Sequence, residues 1–77
     1  MDNRKLEFYK NQFCKNLNEL ITVNNYKHDY IAQKTGFSIA AVSNWRNGKR
    51  EPKISEVCVL ADFFDVPLDV LTGRKEY

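Results

Sequence analysis

Residues 38–50 read SIAAVSNWRNGKR: a hydroxyl, a run of small and apolar residues, a tryptophan, then Asn-Gly and two bases. Ser38 is suited to be a helix N-cap, since its side-chain oxygen can accept from a backbone N–H of the first turn. Phe37 before it and Val42 inside it hold the two positions of a hydrophobic staple, which sets the angle at which the chain enters a helix. Asn47-Gly48 closes the helix, because Gly adopts a left-handed cap without steric cost. At about 100° per residue, Trp45, Ser38 and Ala41 share the side of Val42, and that side reads as core. Ala40, Ser43, Asn44 and Asn47 fall opposite it, and Ile39 lies on the flank of the first turn.

That outer face is small and neutral. An ordinary surface helix would carry Lys and Glu in i, i+4 pairs. Small residues fit either close packing on another part of the chain or close approach to another surface. One such surface is the floor of the DNA major groove, which admits an α-helix. The bases Lys49 and Arg50 stand beyond the helix end, where phosphate strands would lie in the second case.

Working outward, residues 28–35 form a short helix with Ile31 and Ala32 inward and Asp29 near the positive end of its dipole. Gly36 stops it, and Thr35-Gly36-Phe37-Ser38 has the length and Gly content of a helix-turn-helix turn. Upstream, Leu6, Tyr9, Phe13, Leu17, Leu20 and Ile21 form one stripe of a long first helix over residues 4–23, ended by Asn24-Asn25. Downstream, a helix over residues 54–64 turns Val57, Leu60, Ala61 and Phe64 inward. Asp65-Val66-Pro67 breaks it, and Pro67 opens a fifth short helix that ends near Gly73. Strand signals are few, so the expected fold is all-α and compact, with five helices in a single domain over residues 1–77.

Composition sets further bounds. An apolar fraction of 43% excludes a disordered tail, and 77 residues suffice for one small core. No apolar run reaches the ~18 residues that span a bilayer. The first ten residues, MDNRKLEFYK, lack the apolar segment of a secretory signal, which makes the cytosol the expected compartment. Cys14 and Cys58 are far apart and without a CxxC pair, so no zinc site is expected and both read as reduced, partly buried thiols. The lone His28 has no nucleophile or carboxylate placed to work with it, Ser38 and Ser43 lack a nucleophile-elbow context, and the glycines form no phosphate cradle; no enzyme, catalytic residue, metal or cofactor is expected.

The net charge of +2 is unevenly sorted. Residues 27–53 hold six bases, Lys27, Lys34, Arg46, Lys49, Arg50 and Lys53, against Asp29 and Glu51. Residues 54–73 hold Glu56, Asp62, Asp65 and Asp69 and no base. The basic middle is either a set of solvated faces or a surface for a polyanion.

Ile31-Ala32-Gln33-Lys34-Thr35-Gly36, then Ser38, Val42-Ser43, Trp45, Asn47-Gly48-Lys49-Arg50 and Pro52, resemble the lambda-repressor-like (Cro/XRE) helix-turn-helix family. The resemblance continues through Leu60-Ala61, Phe63-Phe64, Val66-Pro67-Leu68-Asp69 and Leu71, and covers roughly residues 13–73. It implies a transcriptional regulator, a repressor of phage or bacterial type, that binds double-stranded DNA through a recognition helix in the major groove. It further implies a homodimer on a pseudo-palindromic operator, without membrane or metal. By position, Ile39, Ala40, Ser43 and Asn44 match the base-reading residues. Asn47, Gly48 through its backbone N–H, Lys49 and Arg50 match contacts to the sugar-phosphate backbone, and Lys27, His28, Ser38 and Arg46 are expected as further phosphate contacts.

Three features depart from the family. Lys27 replaces a Ser or Thr cap, and His28 replaces a glutamine that commonly binds phosphate. Arg46 stands where a Glu often pairs with an Arg of the first helix; that partner position maps to Ile21, which leaves Arg46 to reach a phosphate or Glu19. The first helix starts about ten residues early, with no role that the residues themselves assign. On the reading face Asn44 can bond adenine bidentately, while Ile39 and Ala40 offer contact to a thymine methyl, so an A·T-leaning half-site is expected. The alternative is a protein-interaction module of the same fold, an antitoxin or a partner of another regulator, with Phe63, Phe64, Val70 and Tyr77 as its exposed apolar patch.

Overall fold

The structure, a computed structural model, describes residues 3–75. Five helices follow one another: α1 (Arg4–Asn24), α2 (His28–Thr35), α3 (Ile39–Arg46), α4 (Ile54–Phe64) and α5 (Leu68–Thr72). No strand occurs among the described residues. The helix-turn-helix is α2 and α3.

Each helix delivers one fully buried aliphatic to a common centre: Leu17, Ile31, Val42, Leu60 and Leu71, all at 0% exposure. Phe13, Ile21, Trp45 and Ala61 close around them. Because none of the four shorter helices could bury its apolar face alone, the centre that all five share is what makes them helices. A second layer of rings joins the loop before α2 to α4. Tyr26 lies 5.3 Å from Phe63 and 6.0 Å from Phe64, and Tyr30 stacks on Tyr26 at 5.0 Å.

Local chemistry sets the helix ends. Ser38 Oγ accepts the Ala41 N–H at 3.0 Å, the N-cap bond anticipated for α3. Phe37 packs edge-on against Trp45, centroids 5.0 Å apart, so the staple at the α3 entrance reaches the tryptophan. Gly36 takes φ +84°, which allows the sharp turn between α2 and α3. Asn25 and Asp65 end α1 and α4 in the left-handed conformation at φ 56°, one of the few uses of that region by residues other than Gly. At the start of α4 the Glu56 carboxylate accepts the Lys53 N–H at 2.7 Å. The Lys53 ammonium has no lone pair with which to return that bond, so only half of a capping box forms.

Two expectations are corrected. The stripe of α1 does not run into the core along its whole length: Leu6 is 65% exposed and Tyr9 37%. The reason is length. At 21 residues α1 is about 31 Å long and overruns a body built from helices of 8, 8, 11 and 5 residues, which leaves its first turns exposed among the described residues. An exposed ion pair, Lys10 to Glu51 at 3.7 Å, ties those turns to the loop after α3. Cys58, expected to be partly buried, is exposed, whereas Cys14 is half-buried.

Candidate nucleic-acid interface

α3 is only eight residues long, and at its C-terminal end the Trp45 carbonyl has only the long backbone bond from Gly48 and the Arg46 carbonyl has no backbone donor among the described residues, so both need help from elsewhere. Two side chains of α1 supply it. The Cys14 thiol donates to the Trp45 carbonyl at 3.1 Å, and Asn18 Nδ2 donates to the Arg46 carbonyl at 3.1 Å. With Val42 and Trp45 in the core, these bonds hold the helix rigidly on the long first helix. Sequence reasoning missed both; the only available signal was that Cys14 and Asn18, four apart, share a face of α1.

The opposite face of α3 carries Ile39, 50% exposed, and Ala40, also exposed, with Ser43 and Asn44 half-buried. None is charged. The Asn44 side-chain amide makes no hydrogen bond to a described residue, while its carbonyl accepts the Lys49 N–H at 2.9 Å and the Arg50 N–H at 3.4 Å. This turn directs Lys49 and Arg50, both exposed, off the C-terminal end of α3. Asn47 is exposed, with Nδ2 3.4 Å from Ser43 Oγ. The Gly48 N–H donates to the Trp45 carbonyl at 3.4 Å, a long bond at the weak end of the range. Ser38 is exposed but its oxygen is committed to the cap.

At the start of α2, Lys27 is exposed and extends into solvent without capping the helix. Asp29 Oδ1 accepts the Tyr30 N–H at 2.8 Å. His28 is half-buried and meets α3: Arg46 Nη1 lies 2.7 Å from its Nε2. Arg46 thus does not meet Glu19. Its Nε donates to Asn18 Oδ1, not to Glu19, because Asn18 is the α1 side chain that faces the end of α3. Ile21, the mapped partner position, is buried in the core at 3% exposure. Of the twelve expected site residues, the structure joins His28 to Arg46 and Ser43 to Asn47 through side chains, joins Asn44 to Lys49 and Arg50 through the backbone, and sets the others on or beside α2 and α3.

The residues that the interaction-module alternative would expose as an apolar patch form none among those described. Phe63 and Phe64 are half-buried with the tyrosines, and the Val70 carbonyl accepts from Asn16 at 3.0 Å; Tyr77 lies outside the described residues. An open groove of about 720 Å³ runs along the first turns of α1, between Leu6, Tyr9 and Phe13 on one wall and Val57 and Leu68 on the other. Among the described residues no three His, Cys, Asp or Glu cluster as metal ligands, and no helix is long and apolar enough to cross a membrane.

Residues 24–71 match the family model described as helix-turn-helix. Over 60 residues the chain is 32% identical to the HTH-type transcriptional regulator AnsR of Bacillus subtilis (strain 168), an alignment that covers 78% of this chain and 52% of that one. Over 65 residues it is 29% identical to the HTH-type transcriptional activator BcrR of Enterococcus faecalis, covering 84% of this chain and 32% of that one. The chain therefore spans about half of one relative's length and a third of the other's. No solved structure matches it. With a matched segment that extends from the end of α1 to α5, and α2 and α3 as its helix-turn-helix, the chain belongs to the Cro/XRE-type helix-turn-helix family.

Proposed function

We propose that residues 1–77 act as one sequence-specific DNA-binding unit that lays α3 in the major groove of double-stranded DNA and regulates transcription. The observation that carries this reading is the uncharged outward face of α3. Ile39, Ala40, Ser43 and Asn44 lie there, with Lys27 before α2 and Lys49 and Arg50 past the end of α3. Groove recognition needs that division, with neutral groups against base edges and cations at the phosphates. Ile39 and Ala40 would pack on thymine methyls and Asn44 would bond adenine, which makes an A·T-leaning half-site.

One α3 covers one half-site. The reading therefore includes a homodimer on a pseudo-palindrome with half-sites ~34–36 Å apart. A helix in the groove excludes polymerase from an overlapping promoter by occupancy alone, so the proposed outcome is repression, in a bacterial or phage-infected cytoplasm. BcrR is named an activator, and activation is the outcome a reporter assay would return if this part is wrong.

The test is binding-site selection from random duplexes, followed by anisotropy on the selected DNA and on DNA upstream of the protein's own gene. Paired A·T-leaning half-sites are expected. Recovery of G·C-rich half-sites would remove the base-reading assignment, and no enrichment at all would remove sequence-specific binding. The second reading, a protein-interaction module, draws on the exposed Leu6, Phe8 and Tyr9 of α1, and failure of the selection would favour it.

A further inference from the structure

We propose that Arg46 is a positioning residue. Asn18 and Arg46 hold the His28 imidazole in the tautomer protonated on Nδ1, and this Nδ1–H, not the guanidinium, is offered to a DNA phosphate at the start of α2. The inference rests on the DNA-binding reading and assigns Arg46 and Asn18 a task within it.

A guanidinium has only N–H donors and stays charged in proteins. Arg46 Nη1 lies 2.7 Å from His28 Nε2, so Nε2 must present its lone pair. An imidazolium, or the tautomer protonated on Nε2, would set N–H against N–H at that distance. The single ring proton is therefore on Nδ1, on the other side of the ring from Arg46. The guanidinium cannot turn away to find another partner, because its Nε is bonded to Asn18 Oδ1 while Asn18 Nδ2 grips the Arg46 carbonyl. Two of the three guanidinium nitrogens are thereby committed inside the protein, which makes Arg46 a poor phosphate anchor and a good support.

The imidazole stands where an anion is best received. His28 opens α2, whose first amides have no partner within the helix, and the first backbone N–H to close a turn is that of Ile31, onto the Lys27 carbonyl at 3.1 Å. The charged group in contact with the ring is Arg46 from α3, and Lys27 and Asp29 flank His28 along the chain. Asp29 adds negative charge at this helix end and occupies the Tyr30 amide. That leaves Lys27 and the imidazole Nδ1–H as the side-chain donors for a phosphate. Nδ1 has no hydrogen-bond partner among the described residues.

His28 is the sole histidine, so its ring nitrogens can be read without assignment ambiguity. In a long-range ¹H–¹⁵N spectrum of the full chain at about pH 8, where an ordinary imidazole is neutral, the wild type is expected to show one tautomer with its proton on Nδ1. Arg46→Met should relax it to the mixture of an unheld ring. A wild-type proton on Nε2, or a mixture, overturns the proposal and needs no variant to fold. On a duplex bound by the wild type, His28→Ala and Arg46→Met should each weaken binding roughly tenfold, and together no further. His28→Gln, which carries an acceptor for Arg46 and a donor for phosphate on one amide, should restore most of the affinity lost in His28→Ala. Multiplying losses in the double variant would mean that Arg46 touches phosphate by itself, and would overturn the proposal. Absence of binding in the wild type would strike the DNA-binding reading, whereas full affinity of His28→Ala would strike this inference alone.

Discussion

Asn18 and Arg46 hold each other twice: the Asn18 carboxamide accepts from Arg46 Nε and donates to the Arg46 carbonyl at 3.1 Å, which locks the last turn of α3 onto α1. Both residues are half-buried, so water can replace these bonds only in part. Asn18→Ala is expected to cost about 1–2 kcal/mol in urea unfolding. An unchanged midpoint would show that solvent satisfies both groups.

The fate of the α1 stripe separates its two ends. Leu17→Ala empties a site at 0% exposure where all five helices meet, and should cost about 3–5 kcal/mol, most of the stability of so small a domain. Leu6→Ala, at 65% exposure, should stay within about 0.5 kcal/mol. Similar losses at the two positions would mean that the first turns are covered in solution.

Asp65 combines a left-handed conformation with a negative charge at the negative end of α4. Asp65→Gly removes both penalties, offset in part by the greater freedom of Gly in the unfolded chain. A gain of roughly 0.5–1 kcal/mol is expected in thermal or urea unfolding. A loss would show that the Asp65 side chain makes a compensating contact.

DNA affinity should fall steeply with salt, because Lys27, Lys49 and Arg50 displace counterions from phosphates. The log–log slope is expected to be about −3 for one copy and about twice that for a dimer on its operator. A flat salt profile would dismiss phosphate contacts as the source of affinity.

Asn44→Ala should cost about 1–3 kcal/mol on the selected site and little on random duplex, compared by anisotropy at one salt concentration. Equal losses on both would take Asn44 off the reading face.

The sequence by itself determined the elements and most of their ends, because those signals are local. Ser38 carries its own cap oxygen, Gly36 its own left-handed turn, and Pro67 its own restricted φ, so α2, α3 and α4 could be bounded from a few neighbouring residues. The core side of α3 was legible too, since Val42 and Trp45 share one face at helical spacing. The depth of α1 was not. Leu6, Tyr9, Phe13 and Leu17 lie on one stripe, and only the lengths of the other four helices decide where the cover stops. Nor was the partner of Arg46 legible. Asn18 is 28 residues away, and Glu19 beside it on the same helix is a candidate of equal standing until the rotation of α1 against α3 is known. That rotation is set by Phe13, Leu17 and Ile21 turning into the shared core. Periodicity reports which residues share a face of one helix, while the contact between two helices depends on how the whole core packs, and here that packing joined Asn18, Arg46 and His28.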